Sequence, residues 1–264
     1  MRLFRQYLER NDCFTAGKKL TPMGIMVHST GANNPCVCRY VPGDEIMGRN
    51  TGGNHWDQSN AEWKERFGTP LNKCVHAFVG KLADGGVGVV QTLPWDVQGW
   101  HAGKKVGNEG YIGFEICEDG LDDPEYFRAA YRCAVELTAM LCDRFCLNPE
   151  AQGVVICHAE GYRMGVASNH GDVLHWFSRF GKSMDDFRAD VVREMERGQK
   201  MTQEQFDAML ENWLARQNEA AVSDWAKTLM VQAVEVGITD GTRPRSFATR
   251  QEVALMILAA MKKR

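Results

Sequence analysis

The residues able to carry chemistry are distributed too unevenly along this chain for it to be one uniform fold. All nine Cys, all seven His and 24 of the 26 Gly lie in residues 1–200, while residues 201–264 hold no Cys, no His and only Gly237 and Gly241. A total of 264 residues exceeds one small domain and fits a medium domain with an appendage. The polar RGQKMT stretch at 197–202 marks the join, with Thr202 placed to cap a following helix. The expected organisation is a chemical domain over 1–198 and a helical module over 199–264.

Charge follows the same division. Eight basic and eight acidic residues cancel in 201–264, so the formal net charge of −3 falls on the first part. With no basic surplus, nucleic acid is a poor candidate partner. No apolar run reaches the roughly 18 residues of a membrane span, so no membrane role is expected. The N-terminal MRLFRQYLERND has no apolar core behind its positive charge, so it does not read as a secretory signal, and a cytoplasmic origin is expected. In that compartment nine cysteines read as thiols.

Residues 1–198 alternate between strand and helix patterns. GIMVHST at 24–30, YIGFEICE at 111–118 and VVIC at 154–157 read as buried strands. CVHAFVGK at 74–81 and GVGVVQTL at 86–93 flank Asp84-Gly85, a hairpin signal. Pro124 opens a helix with Phe127, Tyr131, Ala134, Leu137, Leu141 and Phe145 spaced by three or four, and residues 182–195 read as a second amphipathic helix. This is an α/β domain with a central sheet.

His28 ends one predicted strand and His158 follows another, so both rings can enter one cleft if those strands are neighbours. SNHGDVLHW at 168–176 adds His170, Asp172 and His175. Two imidazoles, a third imidazole or carboxylate and a position left open make up a catalytic zinc site. Glu115 interrupts an apolar strand; by alternation it either faces solvent or is held in a cleft with a raised pKa. WHAG at 100–103 suits a sugar- or peptide-binding wall, or an ordinary buried Trp.

The segments MVHSTGANNP, CVHAFVGKLADGGVGVVQTLPWDVQGWHAG, YIGFEICEDG and VICHAEGYRMGVASNHGDVLHWF stand in an order and spacing that resemble the zinc N-acetylmuramoyl-L-alanine amidases. This is the fold shared by phage amidase lysins and peptidoglycan recognition proteins. The resemblance covers about residues 20–195 and is strongest to enzymes of phages and prophages of Clostridia-like bacteria. It implies a central mixed β-sheet flanked by helices, a Zn2+ cofactor and peptidoglycan as substrate. It makes His28 and His158 zinc ligands and Asp172 the third, with His170 the alternative. It sets Glu115 beside the metal as the acid/base, and His170 where the family usually carries Lys. His76, Trp100, His101 and Asn169 fall at positions associated with substrate. His55 lies in the loop TGGNHWDQ at 51–58, which could rim the groove, and His175-Trp176 either closes the pocket or packs as a helix start.

In the remainder, residues 205–216 place Phe206, Met209, Leu210, Trp213 and Leu214 on one helical face. Residues 223–261 resemble one surface-layer-homology repeat through Trp225-Ala226, Gly237-Ile238, Asp240-Gly241 and the TRQE stretch at 249–252. The resemblance implies a secondary cell-wall polymer as partner, with Arg250 a contact. That family normally carries three copies and this chain has one, so pairing with another chain is the alternative. The combined expectation is a peptidoglycan-lysing endolysin released through a holin pore. A host autolytic or recycling amidase and a non-catalytic peptidoglycan-binding protein are the alternatives.

Overall fold

A computed structural model describes residues 1–199 and 203–262; the Thr202 cap lies outside the described residues. The chain forms two compact units, Met1–Gly198 and Gln199–Arg264.

In chain order the first unit contains β1 (Leu3–Arg5), α1 (Asp12–Ala16), β2 (Gly24–Ser29), β3 (Gly43–Asp44), β4 (Gly48–Arg49), α2 (Asn60–Phe67), β5 (Ala77–Lys81) and β6 (Val87–Gln91). It continues through α3 (Lys105–Gly110), β7 (Tyr111–Ile116), α4 (Pro124–Arg144), β8 (Val155–Cys157), α5 (His158–Arg163), α6 (Leu174–Phe177) and α7 (Met184–Gln199). Six strands form one sheet in the order β1-β6-β5-β7-β2-β8. The β5–β6 hairpin is antiparallel and the remaining pairings are parallel, so the sheet is mixed, as expected.

Strand alternation sorts the side chains. Ile25 and Val27, Ala77 and Val79, Ile112, Phe114 and Ile116, and Val155 and Cys157 all enter the main core, which also holds the apolar face of α4. Asp123 caps α4 through the N–H groups of Glu125 and Tyr126, and Pro124 occupies its first turn. The opposite face of the central strands therefore receives Met26, His28, Gly113 and Glu115. That face is where the chemistry collects.

Two details differ from the sequence reading. No element is predicted in residues 31–73 beyond the loop at 51–58, yet the structure folds β3, β4 and the α2 helix there. The Ser59–Glu62 capping box starts α2. Cys36 and Cys38, expected as thiols, are joined by a disulfide: the short 3-10 turn Val37–Arg39 brings their Cα atoms to 5.2 Å, inside the disulfide span. The other seven cysteines are free, and only Cys146 among them is exposed.

The second unit contains α8 (Gln203–Glu219), α9 (Lys227–Glu235) and α10 (Arg250–Lys262). Thr249 and Glu252 form a reciprocal cap at the start of α10, which accounts for two of the four TRQE residues by local helix physics and leaves Arg250 exposed. The Trp213 and Phe247 rings meet at 5.4 Å. None of the described residues of this unit is buried. Among the described residues of the chain, no helix is long and apolar enough to cross a membrane.

Candidate metal centre and active site

Register places the cluster. His28 on β2 lies opposite Glu115 on β7, and Val27 lies opposite Cys157 at the end of β8, so His158 emerges beside His28 as the first residue of α5. Asp172 is tied down by its carbonyl, which accepts from the Ala159 N–H at 3.1 Å. His28 Nδ1 lies 3.0 Å from His158 Nδ1 and 3.2 Å from Asp172 Oδ2; His158 Nδ1 to Asp172 Oδ2 is 3.7 Å. Tetrahedral zinc with bonds of about 2.0–2.1 Å to nitrogen or oxygen separates its ligand atoms by about 3.3 Å. The three observed edges bracket that value, so this donor set fits the ion.

Hydrogen bonding behind the cluster sets which nitrogen faces it. The Tyr111 carbonyl can only accept, so His101 Nε2 donates to it at 3.0 Å. His101 Nδ1 is then an acceptor and takes the Nε2–H of His28 at 3.0 Å, leaving the lone pair of His28 Nδ1 toward Asp172 and His158. On the other side, His158 Nε2 lies 3.2 Å from Ser168 Oγ, which also reaches the Ala102 carbonyl at 3.3 Å and His170 Nδ1 at 3.0 Å. With Ser168 accepting from His158, the Nδ1 of His158 is also free to bind. Gly113 permits this layer: a Cβ there would sit 2.4 Å from the His101 ring.

Electrostatics favours the neutral imidazole at His158 and His101. Burial, then proximity to His28, lowers His158 to about 4, and burial holds His101 well below the ordinary histidine range. Burial opposes ionisation of Asp172, but its hydrogen bond to His28 and the two neighbouring histidines outweigh that and lower its pKa. Glu115 moves the opposite way: burial raises it to about 7, partly offset by His28. Its Oε2 is buried without a hydrogen-bond partner. Of the two orientations open from sequence, the structure therefore has the cleft.

A cleft of about 650 Å³ unites these groups with His170, Trp100 and His101. His76 does not line it: wholly buried, its Nε2 donates to the Val97 carbonyl at 2.8 Å and its Nδ1 accepts from the Gly113 N–H. Asn169 is exposed and also outside the lining. Trp176 is in the core, while His175 pairs with buried Glu118 at 3.0 Å, so this segment is a packed helix start. His55 stays outside, though its neighbour Trp56 lines the cleft. Sequence reasoning missed Ser168, Tyr40, Trp56 and Lys73. Ser168 lay within the quoted SNHGD stretch, but a serine there carries no signal of its own.

A mostly parallel sheet that gathers imidazoles and carboxylates toward its strand ends has the layout of α/β enzymes that bind ligands at that edge. The sequence matches the N-acetylmuramoyl-L-alanine amidase family over residues 18–173, more than half the chain, and the protein belongs to that family. No curated protein matches in sequence. Among solved structures, the Staphylococcus aureus hydrolase AmiA in complex with its ligand is similar at 19% identity and a TM-score of 0.51, covering 74% of this chain and 83% of that one. A mutant endolysin from Bacillus subtilis matches at 20% identity and a TM-score of 0.43, over 72% and 99% of the two chains. At these identities the AmiA likeness supports the fold.

Proposed function

We propose that this protein is a zinc-dependent N-acetylmuramoyl-L-alanine amidase that cleaves the amide between muramic acid and the L-alanine of the stem peptide. The observation that carries the reading is the unpartnered buried oxygen of Glu115 in the same cleft as the His28, His158 and Asp172 donors. Held by those three residues, zinc would supply a Lewis acid that polarises the amide carbonyl and lowers the pKa of a water to roughly 7.

The protein side of the chemistry follows from placement. Glu115 accepts the proton of the attacking water on Oε2 and returns it to the leaving amine of alanine. A carboxyl with a pKa near neutrality can do both. His170, held at Nδ1 by Ser168 Oγ at 3.0 Å in the same cleft, is the donor for the developing oxyanion, a contribution of about 3–4 kcal/mol for one such donor. His101 and Ser168 hold the two imidazoles in the required tautomers, and Trp100 walls the cleft.

An endolysin of a phage or prophage, released through a holin pore, is the biological setting this reading favours. A host autolytic or recycling amidase has the same chemistry. A non-catalytic peptidoglycan-binding protein would have no use for the Glu115 arrangement. We assign residues 199–264 to attachment, either to a secondary cell-wall polymer through Arg250 or to a second copy of the chain. The lack of any buried side chain among the described residues of that unit favours a second copy.

The deciding experiment is mass spectrometry of digested peptidoglycan with and without a chelator. New L-alanine amino termini that require metal are the expected result. New reducing sugar ends, or digestion indifferent to chelation, overturn the assignment.

A further inference from the structure

Beside the metal cleft runs a second groove of about 480 Å³, and the two share Thr30, Tyr40, Trp56 and Lys73. Its far wall is Trp63 and Phe67 on α2, whose rings lie 4.3 Å apart. The segment between β2 and β5 thus builds a continuation of the cleft. We propose that this groove binds a pyranose ring of the glycan strand, the sugar adjoining the muramic acid in the cleft. The inference rests on the amidase reading for the identity of that muramic acid.

Three observations select a sugar. First, the lining pairs indole faces with polar groups: Trp56 and Trp63 flank it, while Arg39, Asn54 and Lys73 supply donors. An aromatic face packs against the C–H face of a pyranose, and donors at the edge take up hydroxyl and acetamido oxygens. Second, no carboxylate lines it, so acceptor-rich sugars carrying an acetamido or lactyl group meet no repulsion. Third, Tyr40 at the junction is 5% exposed, and its hydroxyl meets the Thr30 side chain, also at the junction, without a well-formed hydrogen bond. Buried hydroxyls are ordinarily paired, so an unpaired one on a cleft wall marks a place for a ligand's polar group.

The wall is held before any ligand arrives. Tyr40 stacks on Phe78 at 4.5 Å, and Trp56 meets both rings edge-on at 5.6 and 5.1 Å. The Trp56 backbone N–H donates to the Tyr40 carbonyl at 2.8 Å. The capping box of α2 and an ion pair between Arg10 and Glu62 fix the helix that carries Trp63. A preorganised platform loses little entropy on binding.

The test compares soluble substrates with one stem peptide and either a single muramic acid or two and more sugars. Wild-type protein is expected to show a KM about tenfold lower for the longer glycans, with kcat unchanged. Trp63→Ala should erase that difference and Trp63→Phe should restore most of it. A Trp63→Ala variant that retains the preference, or whose defect follows peptide length instead, overturns the proposal. A second arm does not need hydrolysis: the peptide-free disaccharide of N-acetylglucosamine and N-acetylmuramic acid is titrated against the full chain. The Trp63 indole N–H resonance, identified by its loss in Trp63→Phe, should shift. No shift at millimolar disaccharide overturns the groove assignment. If the wild type cleaves neither substrate, the amidase reading fails alone and the titration decides the groove.

Discussion

His28 and Glu115 face each other across adjacent parallel strands, on the sheet face turned away from the main core. One pairing thereby sets an imidazole of the candidate metal cluster next to a carboxylate that burial keeps near neutrality. The first prediction tests their separate roles. Glu115→Gln should lower the hydrolysis rate by about 10²–10⁴-fold, the range of a general acid–base contribution. Zinc content, measured by elemental analysis of the full chain, should be unchanged. Full lytic activity in this variant would remove Glu115 from the mechanism.

The raised pKa of Glu115 makes a second prediction, for the chelated protein. In the unfolded chain this carboxyl titrates near the ordinary glutamate value; in the fold it titrates at about 7. Between those values the folded state holds the extra proton, so stability falls as pH rises from about 4.5 to 7. The shift corresponds to at most about 3 kcal/mol. Glu115→Gln should match the wild type in urea unfolding near pH 4 and exceed it above pH 7. Equal stabilities at pH 8 would show that the carboxyl is not desolvated.

His101 should act on the metal and not on the substrate. Both its ring nitrogens are engaged, one by His28 and one by the Tyr111 carbonyl. His101→Phe removes the acceptor that fixes the His28 tautomer, and loss of such a partner costs about 10–100-fold in metal affinity. Competition titration with a chromogenic chelator should show that loss. The rate at saturating zinc should change far less. Unchanged zinc affinity would refute the positioning role.

These contrasts show what was legible in the sequence. His28, His158 and Glu115 stood out because a polar residue closing or interrupting an apolar strand is conspicuous, but alternation left the face of Glu115 open until its pairing with His28 placed it in the cleft. The central sheet followed from the same patterns, and its mixed pairing from the family resemblance. The tautomer chain through His101 was not readable, since it depends on Gly113 admitting an imidazole against the β7 backbone. The aromatic wall of Tyr40, Trp56 and Trp63 was invisible for another reason: it sits on turns and one short helix, where side-chain periodicity carries no information about which groups converge. Cys36 and Cys38 illustrate the same limit, because a two-residue spacing becomes a bond only through the turn between them.

The second unit yields the last prediction. Trp225 is 82% exposed and Leu255, Ile257 and Leu258 on α10 are 58%, 55% and 47% exposed. An apolar surface so extensive in a unit with no buried side chain among its described residues marks an interface. Its charge is also segregated: residues 203–219 carry Glu204, Asp207, Glu211 and Glu219 against Arg216, while residues 243–262 carry Arg243, Arg245, Arg250 and Lys262 against Glu252. An acidic half and a basic half complement each other when two copies pair antiparallel about a two-fold axis, the isologous arrangement that closes as a dimer. Light scattering coupled to size exclusion should therefore find the full chain larger than a monomer at micromolar concentration. Salt should weaken the assembly by screening the charged halves, though not abolish it, because burial of the apolar side chains is insensitive to screening. Ile257→Glu combined with Leu258→Glu should yield monomers that still hydrolyse small soluble substrates at the wild-type rate. A wild-type chain that stays monomeric at all concentrations would sink self-association and leave the wall polymer as the occupant of that surface.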